Sequence, residues 1–501
     1  MIQRVLVANR GEVALRIIRA CHEEGLEAVA VYSEADRLSP HVRAAELAVD
    51  IGPPPAVDSY LNIGRLIAAA TATGAQAIHP GYGFLAERAP FAEAVERAGL
   101  TFIGPPAAAI RAMGDKTEAR RRMQAAGVAV VPGSTQTVPD VGRARQEAAR
   151  LGFPVLLKAV AGGGGKGMRL VREAAELESA FVAAQGEALR AFGVSDVYLE
   201  KYLVRPRHIE IQILADTHGR VVALGERECS IQRRHQKLIE EAPSVALSPA
   251  LRRRMSEAAT AAASAAEYVG AGTIEFLLAP GGEFYFLEMN TRLQVEHAVT
   301  ELVYGVDIVR EQLRIAQGKP MRVHAGTLNP RGHAIECRIS AEDPFDDFLP
   351  ATGVVSYLGV PGGPGVRWDG GVEPGNEVTL FYDPLLAKLI VWGETRAIAI
   401  QRMRRALREL VIVGLPTTQP LHLRVLEEAA FERGEFDITY LETVGAGLLS
   451  PEPRPALVRP LAIVAALLAD EQRATTVPPP AALPSRSSPW IEAALREGMG
   501  E

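Results

Sequence analysis

Two glutamates and an asparagine set around a short turn are the first residues in this chain that could do chemistry. Residues 275–290 read EFLLAPGGEFYFLEMN, two apolar, β-prone runs flanking Gly281 and Gly282. A Gly-Gly dipeptide suits a tight turn because glycine accepts positive φ without steric cost, so the segment predicts a hairpin. With the turn centred on those glycines, Glu275 stands opposite Glu288, Cβ atoms roughly 5 Å apart. Like charges at that separation repel. A hard divalent cation between them, with Asn290 as a third oxygen ligand, would resolve the repulsion, and Mg²⁺ bridging nucleotide phosphates is the natural candidate. An exposed hairpin one residue out of register is the competing reading. Beyond the hairpin, Arg292, Gln294, Val295, Glu296 and His297 belong to a dense polar cluster. Arg292 offers a planar fork for an oxyanion, and Glu296 is a candidate proton acceptor.

Lysine usage points the same way. Of 54 basic residues only seven are lysine: Lys116, Lys158, Lys166, Lys201, Lys237, Lys319 and Lys388. In an arginine-rich composition, a retained lysine marks places that require a compact point charge. Lys158 ends the apolar strand FPVLLKAV and is followed by Gly162, Gly163, Gly164, Gly165 and Lys166. Such a run lets backbone N–H groups close over phosphates and can open and shut as a lid. It is not a Walker A loop, since no Gly-Lys-Ser/Thr follows and the loop joins strand to strand. Next, VYLEKYLVRPRHIEIQIL reads as strand, turn, strand, a hinge at which backbone groups of Lys201, Tyr202 and Leu203 could pair with an adenine edge. Glu200 and His208 would then approach ribose or phosphates. In CSIQRRHQKLIEEAP, the residues Gln232, Arg233, Arg234, His235, Gln236 and Lys237 crowd into a short anion-attracting group. A solvated face is the alternative there.

The succession Lys116, Lys158, the glycine loop, EKYL, QRRHQK, Glu275, EMNTRLQVEH and Arg338 within ECRISAEDP resembles the biotin carboxylases, members of the ATP-grasp enzymes. NRGEVALRIIRA and HPGYGFLAE near the start are similar to the same family, and the likeness runs from about residue 2 to about residue 445. The resemblance implies ATP contacts from Lys116, Lys158, Gly163, Gly164, Gly165, Glu200, Lys201, Tyr202, Leu203, His208, Gln232, His235, Glu275 and Glu288. It implies Mg²⁺ or Mn²⁺ on Glu275, Glu288 and Asn290, and bicarbonate on Lys237, Arg292, Gln294 and Val295. Glu296 would deprotonate bicarbonate, and Tyr82 and Arg338 would meet the biotin ring. The catalytic set would be Lys237, Arg292, Glu296 and Arg338. The implied reaction is ATP-dependent carboxylation of biotin on a separate carrier protein, through carboxyphosphate, with Arg338 stabilising the enolate-like ureido oxygen. Departures are Lys166, where arginine is common, and Pro364, where dimeric relatives carry an aromatic residue. Arg19 and Glu23 match the dimer interface, so a homodimer is expected.

With 501 residues and 48% hydrophobic content, the chain predicts about three domains with packed cores. Its fold class is α/β (α+β): a Rossmann-like N-terminal domain (1–113), an ATP-grasp core (114–330) with a mobile glycine-rich lid (131–203), and a mixed C-terminal domain (331–445). The first domain lacks GxGxxG, which argues against dinucleotide binding. A net charge of −6 argues against nucleic acid. No apolar run is long enough to span a membrane. Cys21, Cys229 and Cys337 are too scattered for a disulfide framework or a zinc site, so a cytoplasmic location is expected. Residues 446–501 are rich in proline and alanine, with helices expected in PLAIVAALLADEQRA and SPWIEAALREGM. Without a Met-Lys-Met signal, the carrier and carboxyltransferase are expected to be separate subunits, which the tail would help recruit. The complex would be acetyl-CoA carboxylase, or alternatively a propionyl-type acyl-CoA carboxylase or a two-subunit pyruvate carboxylase. More distant alternatives are a carbamoyl phosphate synthetase half and a catalytically silent, ATP-binding regulatory protein.

Overall fold

The computed structural model describes residues 2–134, 136–159, 168–324 and 328–450, together with Leu468. The glycine loop and the two expected tail helices, Leu468 of the first excepted, lie outside the described residues.

Near the N-terminus, short apolar strands alternate with helices. Strands β1 (Arg4–Val7), β2 (Glu27–Tyr32), β3 (Leu47–Asp50), β4 (Ala77–His79) and β5 (Thr101–Phe102) form a parallel sheet in the order β3-β2-β1-β4-β5. Val5, Leu6 and Val7 are buried because a parallel sheet is covered on both faces. The helix Gly11–Glu23 contributes Val13, Ala14, Ile17, Ile18 and Cys21 to one of those layers. Strand order reverses between β1 and β4, and such a switch point opens a crevice at the carboxyl ends of the strands. Here Asn9, just after β1, donates from Nδ2 to Pro80 O (2.8 Å) and Tyr82 O (2.7 Å), just after β4. That pins the segment carrying Tyr82.

A small sheet follows. Strands β6 (Val155–Ala159), β7 (Met168–Val171) and β8 (Val197–Lys201) are antiparallel in the order β7-β6-β8. With helices Val141–Leu151 and Leu177–Phe192 they enclose their own apolar cluster, including Leu157, Leu177, Phe181 and Leu199. As expected from the sequence, the glycine segment connects two strands, β6 and β7.

The scaffold of the site is an eight-stranded antiparallel sheet. It runs β13 (Phe284–Asn290), β12 (Gly270–Leu278), β9 (Arg207–Ala215), β10 (Val221–Arg233), β11 (Gln236–Ala242), β14 (His333–Ser340), then Leu385–Gly393 and Val366–Gly370. Helix Pro249–Ala265 packs on β9 and β10, and helix Arg396–Glu409 on β14 and Leu385–Gly393. Apolar residues on each strand pack against these helices, as Ile211 and Ile274 do in one cluster and Ile339 and Leu389 in another. Charged residues occur at intervals between them. Across four neighbouring strands the register aligns Glu288, Glu275, Glu210 and Arg227.

The β12–β13 hairpin faces Glu275 with Glu288 as expected, but by a different route. Leu278 pairs with Phe284, leaving a loop of residues 279–283 centred on Gly281. Only Gly282 takes a positive φ, +86°. A register shift between Glu275 and Phe276 then supplies the one-residue offset that the expected two-glycine turn would have given.

Candidate active site

Two clefts meet on this sheet. One, about 740 Å³, is lined by Lys116, Lys158, Glu200, Lys201, Tyr202, Leu203, His208, Gln232, His235 and Glu288. The other, about 490 Å³, is lined by Tyr82, Lys237, Glu275, Glu288, Asn290, Arg292, Gln294, Val295, Glu296 and Arg338. His235 and Glu288 border both. The described residues expected to contact nucleotide therefore gather in the first cleft, apart from Glu275, and those expected around bicarbonate, biotin and metal in the second. Gly163, Gly164 and Gly165 lie outside the described residues.

At the centre of the second cleft, the Lys237 ammonium donates to Glu210 Oε2 (2.6 Å), Glu275 Oε1 (2.9 Å) and Glu296 Oε1 (2.6 Å). Burial would discharge this lysine, but Glu210, Glu275 and Glu296 outweigh it and hold its pKa well above the usual range. Glu296 also accepts from Arg338 Nη2 at 3.0 Å. Although burial opposes its ionisation, Lys237, Arg338 and Arg227 hold the Glu296 carboxyl far below the ordinary carboxylate range. Arg338 is oriented in turn by Glu240, Nε to Oε1 2.6 Å. Tyr82 donates its hydroxyl to Glu12 and lines the cleft with Arg338.

Arg292 is more constrained than an open oxyanion fork. Its Nε donates to Glu87 Oε2 (2.9 Å), Nη1 to Gln294 Oε1 (2.7 Å), and Nη2 to Asn290 Oδ1 (3.2 Å). The planar guanidinium is thereby held by three acceptors at the wall of the cleft, with its charge partly balanced by Glu87. The Val295 carbonyl accepts from Lys388 Nζ at 2.7 Å, so Val295 could meet an anion only through its N–H.

The facing carboxylates behave as a repelling pair. Glu275 is buried and lowered despite that burial, because Lys237 and His208 stand beside it, the latter at 3.1 Å. Glu288 opens to solvent along the cleft, yet the surrounding protein and then the Glu275 charge raise its pKa. Asn290 ties itself to the pair, Nδ2 to Glu275 Oε1 at 2.8 Å. Its amide oxygen is engaged by Arg292, so it is not free between the carboxylates as the sequence implied. An all-oxygen donor set with excess negative charge fits a hard cation such as Mg²⁺ or Mn²⁺.

Two expected nucleotide contacts take a different form. The Lys201 ammonium donates to Gly152 O (2.8 Å) and Phe153 O (3.1 Å) and is held by these two carbonyls. Its N–H donates to Pro132 O and that of Tyr202 to Pro154 O, which leaves the Leu203 N–H, among the described residues, without a protein acceptor. Glu200 is buried between Lys158 and Arg120, neutralised by both. It holds Lys158 in place more than it presents a free carboxylate.

Sequence reasoning missed Glu87, Glu210, Arg227 and Glu240, and singled out Lys388 without giving it a role. Fully buried Arg227 donates to Glu210, to Gln212 Oε1 (2.7 Å), to Thr300 Oγ1 (2.9 Å) and to Thr273 Oγ1 (3.0 Å). A usable signal existed in IEI, ERE and IEEA, where charges interrupt apolar strands, since a buried charge needs a partner.

Comparison with known proteins accounts for this arrangement. The biotin carboxylase N-terminal domain matches residues 1–110, the ATP-binding domain of the carbamoyl-phosphate synthase L chain 115–324, and the biotin carboxylase C-terminal domain 336–443. The biotin carboxylase of Nostoc sp. is 55% identical over 439 residues, 88% of this chain and 98% of that protein. The chain belongs to the biotin carboxylase family. A pyruvate carboxylase subunit of Methanothermobacter thermautotrophicus is 51% identical over 89% of this chain and 91% of its own. Among solved structures, the Campylobacter jejuni biotin carboxylase–βγ-ATP complex aligns with a TM-score of 0.85 at 45% identity, covering 88% and 99% of the two chains. The biotin carboxylase domain dimer of Hydrogenobacter thermophilus 2-oxoglutarate carboxylase, in complex with MgADP, ADP and bicarbonate, aligns with a TM-score of 0.85 at 46% identity over 90% and 100%. The family membership explains why the charged residues of one sheet face are spent on a cleft and not on an apolar core.

Proposed function

We propose that this chain uses ATP and bicarbonate to carboxylate the biotin of a separate carrier protein. The observation that carries the reading is the Glu296 carboxylate clasped by Lys237 and Arg338 in the second cleft, which shares His235 and Glu288 with the first. ATP occupies the cleft of Lys116, Lys158 and the Lys201–Leu203 backbone, with Gln232 and His235, and the glycine loop of 163–165 covers its phosphates. Glu275 and Glu288 would hold Mg²⁺ or Mn²⁺, joined by Asn290 once its amide oxygen is released by Arg292, and the ion would offset phosphate charge. Lys237, Arg292, Gln294 and the Val295 N–H fix bicarbonate, a poor nucleophile that must be oriented to react.

Glu296 takes the bicarbonate proton. Its low pKa in the free site makes it a weak base, and its basicity rises once bicarbonate and the biotin ureido oxygen draw Lys237 and Arg338 toward themselves. Arg338 then stabilises negative charge on that oxygen, beside the Tyr82 ring. The test is bicarbonate-dependent ADP release with and without free biotin. Stimulation by biotin together with carboxybiotin formation supports the reading, and bicarbonate-dependent turnover indifferent to biotin refutes it.

We infer domains at 1–113, 114–330 and 331–445, a lid at 131–203, a homodimer through the surface of Arg19 and Glu23, and acetyl-CoA carboxylase as the parent complex. The Methanothermobacter relative keeps a two-subunit pyruvate carboxylase as the second reading. Three free, buried cysteines suit the cytoplasm, and no helix among the described residues is long and apolar enough to cross a membrane. Residues 446–501 serve to recruit the carrier or transferase subunit. Truncation after Gly445 should keep activity toward free biotin and lower the rate with carrier; an unchanged carrier rate would make the segment dispensable.

A further inference from the structure

A second pair of facing carboxylates lies deeper in the sheet. Register places Glu240 on β11 directly opposite Glu336 on β14, and both side chains are fully buried. One Glu240 oxygen accepts from Arg338, while its other oxygen and both oxygens of Glu336 have no hydrogen-bond partner among the described residues. The charged and titratable groups around the pair are Arg338 and Cys337 from β14, Cys229 from β10, Lys388 from the strand after β14, and Lys237, Glu296 and Tyr82. Lys388 is already occupied by the Val295 carbonyl (2.7 Å), Glu12 (3.4 Å) and Asp369 (3.8 Å), and Lys237 by its own three glutamates. Too few donors remain to support two adjacent ionised carboxylates in the interior. A proton on one of them supplies the O–H donor that an orphaned oxygen of the other can accept.

We propose that Glu240 and Glu336 share one proton, and that this proton fixes Arg338 between Glu240 and Glu296, which makes Glu336 a positioning residue for biotin carboxylation. The positioning role rests on the function proposed above; the shared proton does not. Burial, opposed by Arg338 and reinforced by Glu296, pushes Glu240 up to about 7, and burial drives Glu336 well above the carboxylate range. The proton is therefore released to solvent as the medium turns alkaline. The second negative charge then draws the Arg338 guanidinium into the pair and away from Glu296 and the cleft.

Infrared difference spectra of the full chain without substrates test the proton directly. The native chain minus Glu336→Gln should show a protonated-carboxyl C=O band near neutral pH that fades on the alkaline side. Its absence would overturn the shared proton whether or not the chain carboxylates biotin. If Glu336→Gln does not fold, alkaline titration of the native chain's own carboxyl band reads the same proton, and an invariant band overturns it. The ratio of biotin carboxylation to bicarbonate-dependent ATP hydrolysis tests the positioning. In the native chain it should fall several-fold with rising pH, in Glu336→Gln it should stay flat, and in Glu336→Asp the fall should return. Matching profiles in native and Gln chains would overturn the positioning role, whereas a carboxyl band without any biotin-dependent turnover would refute the functional reading alone.

Discussion

The same eight-stranded sheet holds two facing carboxylate pairs, Glu275 with Glu288 and Glu240 with Glu336, and they are resolved in opposite ways. Glu288 opens into a cleft beside Lys116, while Lys237, His208 and Asn290 converge around its partner. Glu240 and Glu336 are sealed in, with Arg338 as their one hydrogen-bond donor among the described residues. Register alone does not decide what a pair of like charges does. Access and the supply of neighbouring donors decide it: an open pair can recruit an external cation, while a closed pair must keep a proton.

The largest effect separating the two is expected at Glu288. Glu288→Gln should lower ADP release by on the order of 100-fold while thermal melting barely moves, as expected when a preorganised electrostatic contact is lost. Near-normal turnover would remove the metal from the first pair and with it the contrast. Arg338→Ala comes next. It should reduce biotin carboxylation roughly 100-fold and bicarbonate-dependent ATP hydrolysis far less, because the guanidinium acts on the biotin side. Equal losses, measured as carboxybiotin against ADP, would tie Arg338 to the first pair instead.

A smaller change is expected at Glu87, which orients Arg292. Glu87→Gln loses a charge-assisted hydrogen bond of about 1.5 kcal/mol, and should raise KM for bicarbonate roughly tenfold in steady-state assays. An unchanged KM would mean that Gln294 and Asn290 suffice to hold the fork. Stability gives the smallest readout and the sharpest sign. Glu336 is raised, so between the ordinary carboxylate range and its folded value the native state keeps a proton that the unfolded chain releases, and stability falls as pH rises. Glu275 is lowered, so its contribution is present above the ordinary carboxylate range and is lost as pH falls. In unfolding free energy against pH, Glu336→Gln should flatten the alkaline side and Glu275→Gln the acid side, each by at most about 1.4 kcal/mol per pH unit. Identical slopes in both variants would erase the distinction.

Much of the first pair was legible in the sequence because alternation and a glycine turn set which residues face each other across a hairpin. Even there, a register shift and a five-residue loop replaced the expected tight turn, and only the sum of the two restored the pairing. The second pair was not legible. Glu240 and Glu336 lie on strands almost a hundred residues apart in the chain, and no local pattern fixes a register between such strands. Arg292 illustrates a further limit: its type advertised an anion site, but Glu87, a surface residue of the N-terminal region, determines where the fork points. Lys201 shows a related limit, since its backbone was expected at an adenine edge, and its N–H instead donates to Pro132 O while its ammonium closes on Gly152 and Phe153.

Arg227 joins Glu210, which holds Lys237, to Thr300, one turn into the helix that begins beside Glu296. The separation of base and ammonium is thereby a dimension of one rigid guanidinium and not the outcome of two independent side-chain choices. A thermal displacement of that sheet face carries both groups in the same direction, so positional errors are shared rather than accumulated, and the reactive spacing survives motion that would blur a site assembled from separate loops.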